Sequence, residues 1–136
     1  ERKMRELISK YNKNRIIVAG DHNFEYNMKS YKKFINLLKE CVDRGAGEIV
    51  INCIDYDGLM KGYDNDLIKL TSSIVNVPVV ASGGAGNYEH FYNAYRNGAD
   101  AFAAASIYHY TKNTPTEAKK YLVNKKVPIR ENFIKE

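Results

Sequence analysis

The chain has 136 residues, 44% hydrophobic and 27% charged, with a formal net charge of +5. That is enough for one domain with a packed core and too little for two ordinary ones. No apolar run approaches the ~18 residues of a membrane helix, no signal-peptide pattern opens the chain, and two cysteines make neither a disulfide framework nor a zinc site. Cys41 and Cys53 therefore read as buried thiols in a reducing cytoplasm, and no metal or cofactor is expected. The basic balance suits steering of an anionic small molecule. Without a recognised motif it does not point to nucleic acid.

In chain order, residues 3–10 carry the end of a helix, and Arg15-Ile16-Ile17-Val18-Ala19-Gly20 predicts a short strand ending at Asp21. From Ser30 to Val42, Tyr31, Phe34, Ile35, Leu38, Cys41 and Val42 recur at helical spacing and predict one buried stripe. Gly45-Ala46-Gly47 ends that helix, and the next strand is expected over 48–54. Its unbroken Ile49-Val50-Ile51 predicts a strand covered on both faces. A loop from Asp55 through Gly62 leads to a helix capped by Asp64, with Leu67, Ile68, Thr71 and Ile74 inward. Pro78 precedes a third strand over 79–82. Asn87 caps a helix over 88–96 that Gly98 ends. A fourth strand is expected over 100–105, and Thr114-Pro115-Thr116-Glu117 is a capping box with proline at the first helical position.

Strand and helix alternate throughout, which predicts four βα units around parallel strands. The fold class is α/β, a (βα)₄ half of a (β/α)₈ barrel, whose full form takes about 250 residues. Arg44-Gly45-Ala46-Gly47-Glu48-Ile49 and Asn97-Gly98-Ala99-Asp100-Ala101-Phe102 echo one another, as a doubled pair of units would. Residues 1–136 read as a single half-barrel domain, with 1–14 a preceding helix end and connection, 15–130 the units, and 131–136 a tail. Four parallel strands leave two open edges, so the N-terminal half of a barrel or a second copy is expected alongside. The chain opens on Glu1, which fits a piece of something longer.

Chemistry concentrates where strands end. Val79-Val80-Ala81-Ser82-Gly83-Gly84-Ala85-Gly86 and Ala103-Ala104-Ala105-Ser106 are two apolar strands running into small residues. Such turns let backbone amides approach a ligand, and a helix start beyond them adds positive potential. The pair predicts a phosphate cradle formed by Gly83, Gly84, Ala105 and Ser106, with two ordinary strand-to-helix turns as the plainer reading, and Ser82 stands at its strand end as a further candidate for the site. Asp21 at the first strand end is a candidate general acid or base, with a turn or cap aspartate as the plainer reading. Asp57 could hold sugar hydroxyls beside a free amide at Gly58, where simple turn chemistry is the alternative. His90 reads as a surface residue of its helix and His109 as part of a packed loop. Cys53 lacks a histidine partner and is discounted as a nucleophile.

Taken together, Arg44–Glu48, Ile54–Gly58 with Gly62-Tyr63-Asp64, Ala81–Gly86 with Glu89-His90-Phe91, and Gly98–Ala101 with Ala104-Ala105-Ser106 resemble the HisF family, the cyclase subunit of imidazole glycerol phosphate synthase. The likeness runs from about residue 15 to Arg130 and covers units five to eight, the C-terminal half of the family's barrel. It implies an ammonia-dependent conversion of a bis-phosphorylated ribotide to imidazole glycerol phosphate and an aminoimidazole carboxamide ribotide in histidine biosynthesis. Ammonia would come from a glutaminase (HisH-like) subunit on the N-terminal face. By resemblance Asp21 is the second of two catalytic aspartates, the first lying outside this sequence. Asp57, Gly58, Ser82, Gly83, Gly84, Ala105 and Ser106 carry over as phosphate and substrate contacts. Glu48 matches the charged ring that gates ammonia, and Arg130 a basic residue near the glutaminase interface.

After Asp21 the chain departs from the family in His22-Asn23-Phe24-Glu25-Tyr26-Asn27, a shortened loop. Asn52, counted among the substrate contacts, replaces a threonine and resembles paralogues that work with a glutaminase to modify surface-polysaccharide sugars. That paralogue is one alternative, and a non-catalytic phosphate-binding half-barrel scaffold is another. The related isomerase of the same pathway shares the barrel and phosphate turns, but residues 62–64 and 106–110 favour the cyclase.

Overall fold

The computed structural model describes residues 17–22 and 28–130, with side chains from residue 32 onward. In order these form β1 (Ile17–His22), α1 (Met28–Asp43), β2 (Glu48–Cys53), α2 (Asn65–Ile74), β3 (Val79–Ser82), α3 (Tyr88–Arg96), β4 (Ala101–Phe102), α4 (Ser106–Tyr110) and α5 (Pro115–Asn124). The four strands make one sheet in the order β1-β2-β3-β4, every neighbouring pair parallel. Each strand is joined to the next through a helix, which gives the expected α/β chain of parallel units. The expected helix end at 3–10 and the tail at 131–136 lie outside the described residues.

Helix starts follow local chemistry. The Asp64 carboxylate accepts the Leu67 N–H at 2.9 Å, Asn87 accepts the His90 N–H at 3.1 Å, and Thr114 accepts the Glu117 N–H at 3.2 Å. Each satisfies an amide that the first turn leaves without a carbonyl, worth about 1 kcal/mol. The α1 stripe packs Phe34, Leu38 and Cys41 against Ile49, Ile51 and Val79. A second core gathers Ile68, Ala81, Phe91, Ile107 and Leu122 around Tyr63.

Five expectations need correction. β2 is not covered on both faces: Ile49, Ile51 and Cys53 are buried under helices, whereas Val50 and Asn52 are half-buried. In register with them stand Val80 and Ser82 of β3, also half-buried, so the sheet presents a second, less covered face. β4 is two residues long rather than six. Ala103 still donates its N–H to Ala81 at 2.8 Å, after which the chain leaves the ladder. β1 continues to His22, which places Asp21 within the strand, and β2 stops at Cys53 because its carbonyl turns to accept the amides of Tyr56 and Asp57. Residues 106–110 are a helical turn, not a loop.

Candidate functional site

Where β3 and β4 leave the sheet, their exits enclose a hollow of about 240 Å³. Ser82 through Ala85 form one wall, Ala103 through Ser106 the other, and Asp57 reaches it from the loop after β2. A wider depression of about 650 Å³ lies between α2 and α3, lined by residues such as Lys69, Ser72 and Arg96. It opens where helices end and strands begin, with no strand exit in its wall. The smaller hollow is where the chemistry converges.

Backbone geometry explains the small residues. Gly84 has φ +109°, and a Cβ there would lie 2.1 Å from the Gly62 carbonyl oxygen. Gly83 has φ +82°, and its Cβ would meet both Asn52 Oδ1 and the Cys53 carbonyl at 2.8 Å. Both positions therefore require glycine for conformation and for close approach. The Gly62 N–H donates to the Gly84 carbonyl at 2.8 Å and fastens the loop after β2 onto the turn after β3. On the other wall, Ala105 is the N-cap of α4 and has no side-chain cap. Among the described residues, no loop or cap hydrogen bond uses the amide of Gly83, Gly84 or Ala105. Such a wall is chemically suited to an anion.

Two supporting side chains were not anticipated. The buried Tyr63 hydroxyl donates to the Ala103 carbonyl at 2.9 Å, and burial holds that phenol well above its ordinary pKa. Its ring packs edge-on against Phe91, which meets Phe102 likewise, at 5.9 and 5.7 Å. His90 is not a free surface residue: it is half-buried, and Nδ1 accepts the Gly86 N–H at 3.1 Å. Tyr63 stands between a glycine and a capping aspartate, but only the tertiary fold shows what its hydroxyl reaches.

Of the residues singled out from sequence, Asp57, Ser82, Gly83, Gly84, Ala105 and Ser106 line the hollow. Asn52 lies directly beneath Gly83. Asp21 is in register with Asn52 on β1, and its side chain lies outside the described part of the molecule. Gly58 has φ +79° with open space around it, so conformation alone accounts for that glycine. Glu48 begins β2, at the opposite end of the sheet from the hollow, and Arg130 is exposed beyond α5. Asp64 caps α2 and also accepts the Cys53 thiol at 3.8 Å. Burial and the neighbouring carboxylates Asp64 and Asp55 push that thiol's pKa up, and both cysteines are buried.

The sequence model of the family described as histidine biosynthesis protein matches residues 2–114. Among known proteins, the chain is 50% identical over 95 residues to the imidazole glycerol phosphate synthase subunit HisF of Thermococcus onnurineus, covering 70% of this chain and 38% of that one. It is 37% identical over 140 residues to HisF of Chlorobium limicola, covering 92% and 56%. With HisF of Bacillus pumilus it shares 42% over 128 residues, covering 85% and 51%. The chain thus spans about half the length, or less, of these relatives. It belongs to the histidine biosynthesis protein family, a (β/α)₈ barrel family of which its parallel βα units form part.

Proposed function

We propose that this chain supplies the phosphate-binding half of a HisF-like cyclase site, units five to eight of a barrel. The observation that carries the proposal is the hollow between the β3 and β4 exits, walled by small residues whose backbone is open to an anion. One phosphate of a bis-phosphorylated ribotide would sit against Gly83, Gly84, Ala105 and Ser106, held by amides and the α4 start. Asp57 would accept from a sugar hydroxyl rather than touch the phosphate, since two negative groups repel there.

Asp21 would move the proton at the reacting centre, paired in register with Asn52, which is itself paired with Ser82. Ammonia would arrive from a glutaminase subunit at the opposite end, past Glu48, with Arg130 at that interface. The isolated chain, holding one carboxylate of the pair, would bind phosphate without turnover.

The test is made on the full-length protein with the ribotide and ammonium salts. Asp21→Asn is expected to keep substrate affinity and lower turnover by about 10²–10⁴, the usual loss for a general acid or base. Unchanged turnover would remove Asp21 from the mechanism. An intact protein that binds phosphate but leaves the ribotide untouched would favour the sugar-modifying paralogue, the reading supported by Asn52 in place of a threonine.

A further inference from the structure

The turn after β3 is held by more than its glycines. The Gly86 N–H donates to His90 Nδ1 at 3.1 Å, and the Asn87 side-chain nitrogen stands 3.1 Å from the other ring nitrogen, Nε2. Asn87 Oδ1 is already committed to the His90 N–H. The same imidazole lies beside Gly62, whose Cβ would be 3.7 Å from the ring, and Gly62 is the residue bonded to Gly84. Both groups at the ring nitrogens are therefore donors. A neutral imidazole accepts from one of them in either tautomer, whereas an imidazolium carries N–H on both nitrogens and accepts from neither.

We infer that neutral His90 is a positioning residue for the anion-binding turn, holding Gly83–Gly86 through the Gly86 amide, and that acidification releases it. This rests on the phosphate reading of the hollow. Burial depresses the pKa of His90, while Glu89, its charged neighbour on α3, acts in the opposite direction. The opposed loop brings Gly62 against the ring, with Lys61 next along the chain, and Gly83 to Asn87 carry no charge. Because the folded form favours the neutral ring, the hold is complete above the ordinary histidine pKa of about 6.5 and is lost as pH falls through the lowered value.

Sulfate is the probe, since it keeps two charges between pH 5 and 8. Increasing positive charge on the protein at low pH would tighten sulfate, so weakening is the informative sign. Calorimetric titration of the full-length protein is expected to show affinity about three- to tenfold weaker at pH 5.0 than at pH 7.5, the loss of one hydrogen bond. His90→Asn, whose Oδ1 can replace Nδ1 as acceptor, should bind at pH 7.5 and lose that dependence. An equal fall in His90→Asn, or no fall in the unmodified protein, overturns the inference. If sulfate binds nowhere at pH 7.5, the phosphate reading fails instead. The positioning role is then read from the Gly86 amide protection factor, which should collapse on acidification in the unmodified protein and persist in His90→Asn. A protection factor indifferent to pH overturns it.

Discussion

Tyr63 and Ala103, forty residues apart, are joined by a 2.9 Å hydrogen bond from a buried phenol to a carbonyl in the wall of the hollow. The contact ties the start of α2 to the exit of β4, so one side chain sets the spacing of two units. Tyr63→Phe keeps the ring among Phe91 and its neighbours but leaves the Ala103 carbonyl without its donor. A loss of about 1 kcal/mol in denaturant titration is expected, the net worth of a partly buried hydrogen bond. An unchanged midpoint would mean that water replaces the hydroxyl without penalty.

Gly84 and Gly58 both have positive φ, yet their substitution should differ. Alanine at Gly58 meets open space and costs about 1–2 kcal/mol for the left-handed backbone alone. Alanine at Gly84 adds a Cβ 2.1 Å from the Gly62 oxygen, and the loop must move away. A loss above about 3 kcal/mol, with loss of sulfate binding, is expected in paired thermal melts and titrations. Equal costs would show that the Gly62 junction yields freely.

Cys53 should behave as a protected thiol. Its pKa is raised by burial first and by Asp64 and Asp55 as well, so the neutral form is the one the fold accommodates. Its contribution to stability is present below the ordinary thiol pKa and is lost as pH rises through the raised value. Disulfide-exchange labelling at pH 8 should run at least about tenfold slower in the native protein than in denaturant. Comparable rates would contradict the burial.

Asp64→Ala removes two things at once. The Leu67 amide loses its cap, worth about 1 kcal/mol, and Cys53 loses a carboxylate that raises its pKa. The variant should melt earlier than Asp64→Asn, which retains a capping oxygen, and both variants should label faster at Cys53 than the unmodified protein. Labelling as slow in both variants as in the unmodified protein would assign the protection to burial alone.

Features written in local chemistry were legible. Asp64, Asn87 and Thr114 announce helix starts because the acceptor and the amide it satisfies are three residues apart. The Phe34–Leu38–Cys41 stripe follows from helical period alone. What the sequence concealed depends on neighbours in space. Nothing in Ile49-Val50-Ile51 reveals that Val50 faces a less covered side. The one-turn α4 starts at Ser106, and its N-cap, Ala105, has no polar side chain to advertise it. His90 turns back onto Gly86 only because the glycine turn places that amide within reach, and Tyr63 finds Ala103 only once β4 lies beside β3. For the site, the small-residue runs located both walls of the hollow, while the struts behind them were invisible.

The joint between Gly62 and Gly84 is made entirely of main-chain atoms, and most of the loop leading to it has its side chains in solvent, Ile54 and Leu59 among them. Main-chain joints do not record which side chains surround them. Substitution along that loop can therefore reshape what overhangs the hollow while the floor beneath stays fixed. On the phosphate reading, grip on a shared chemical handle and discrimination among the molecules that carry it would then be written in separate stretches of sequence, free to diverge at different rates.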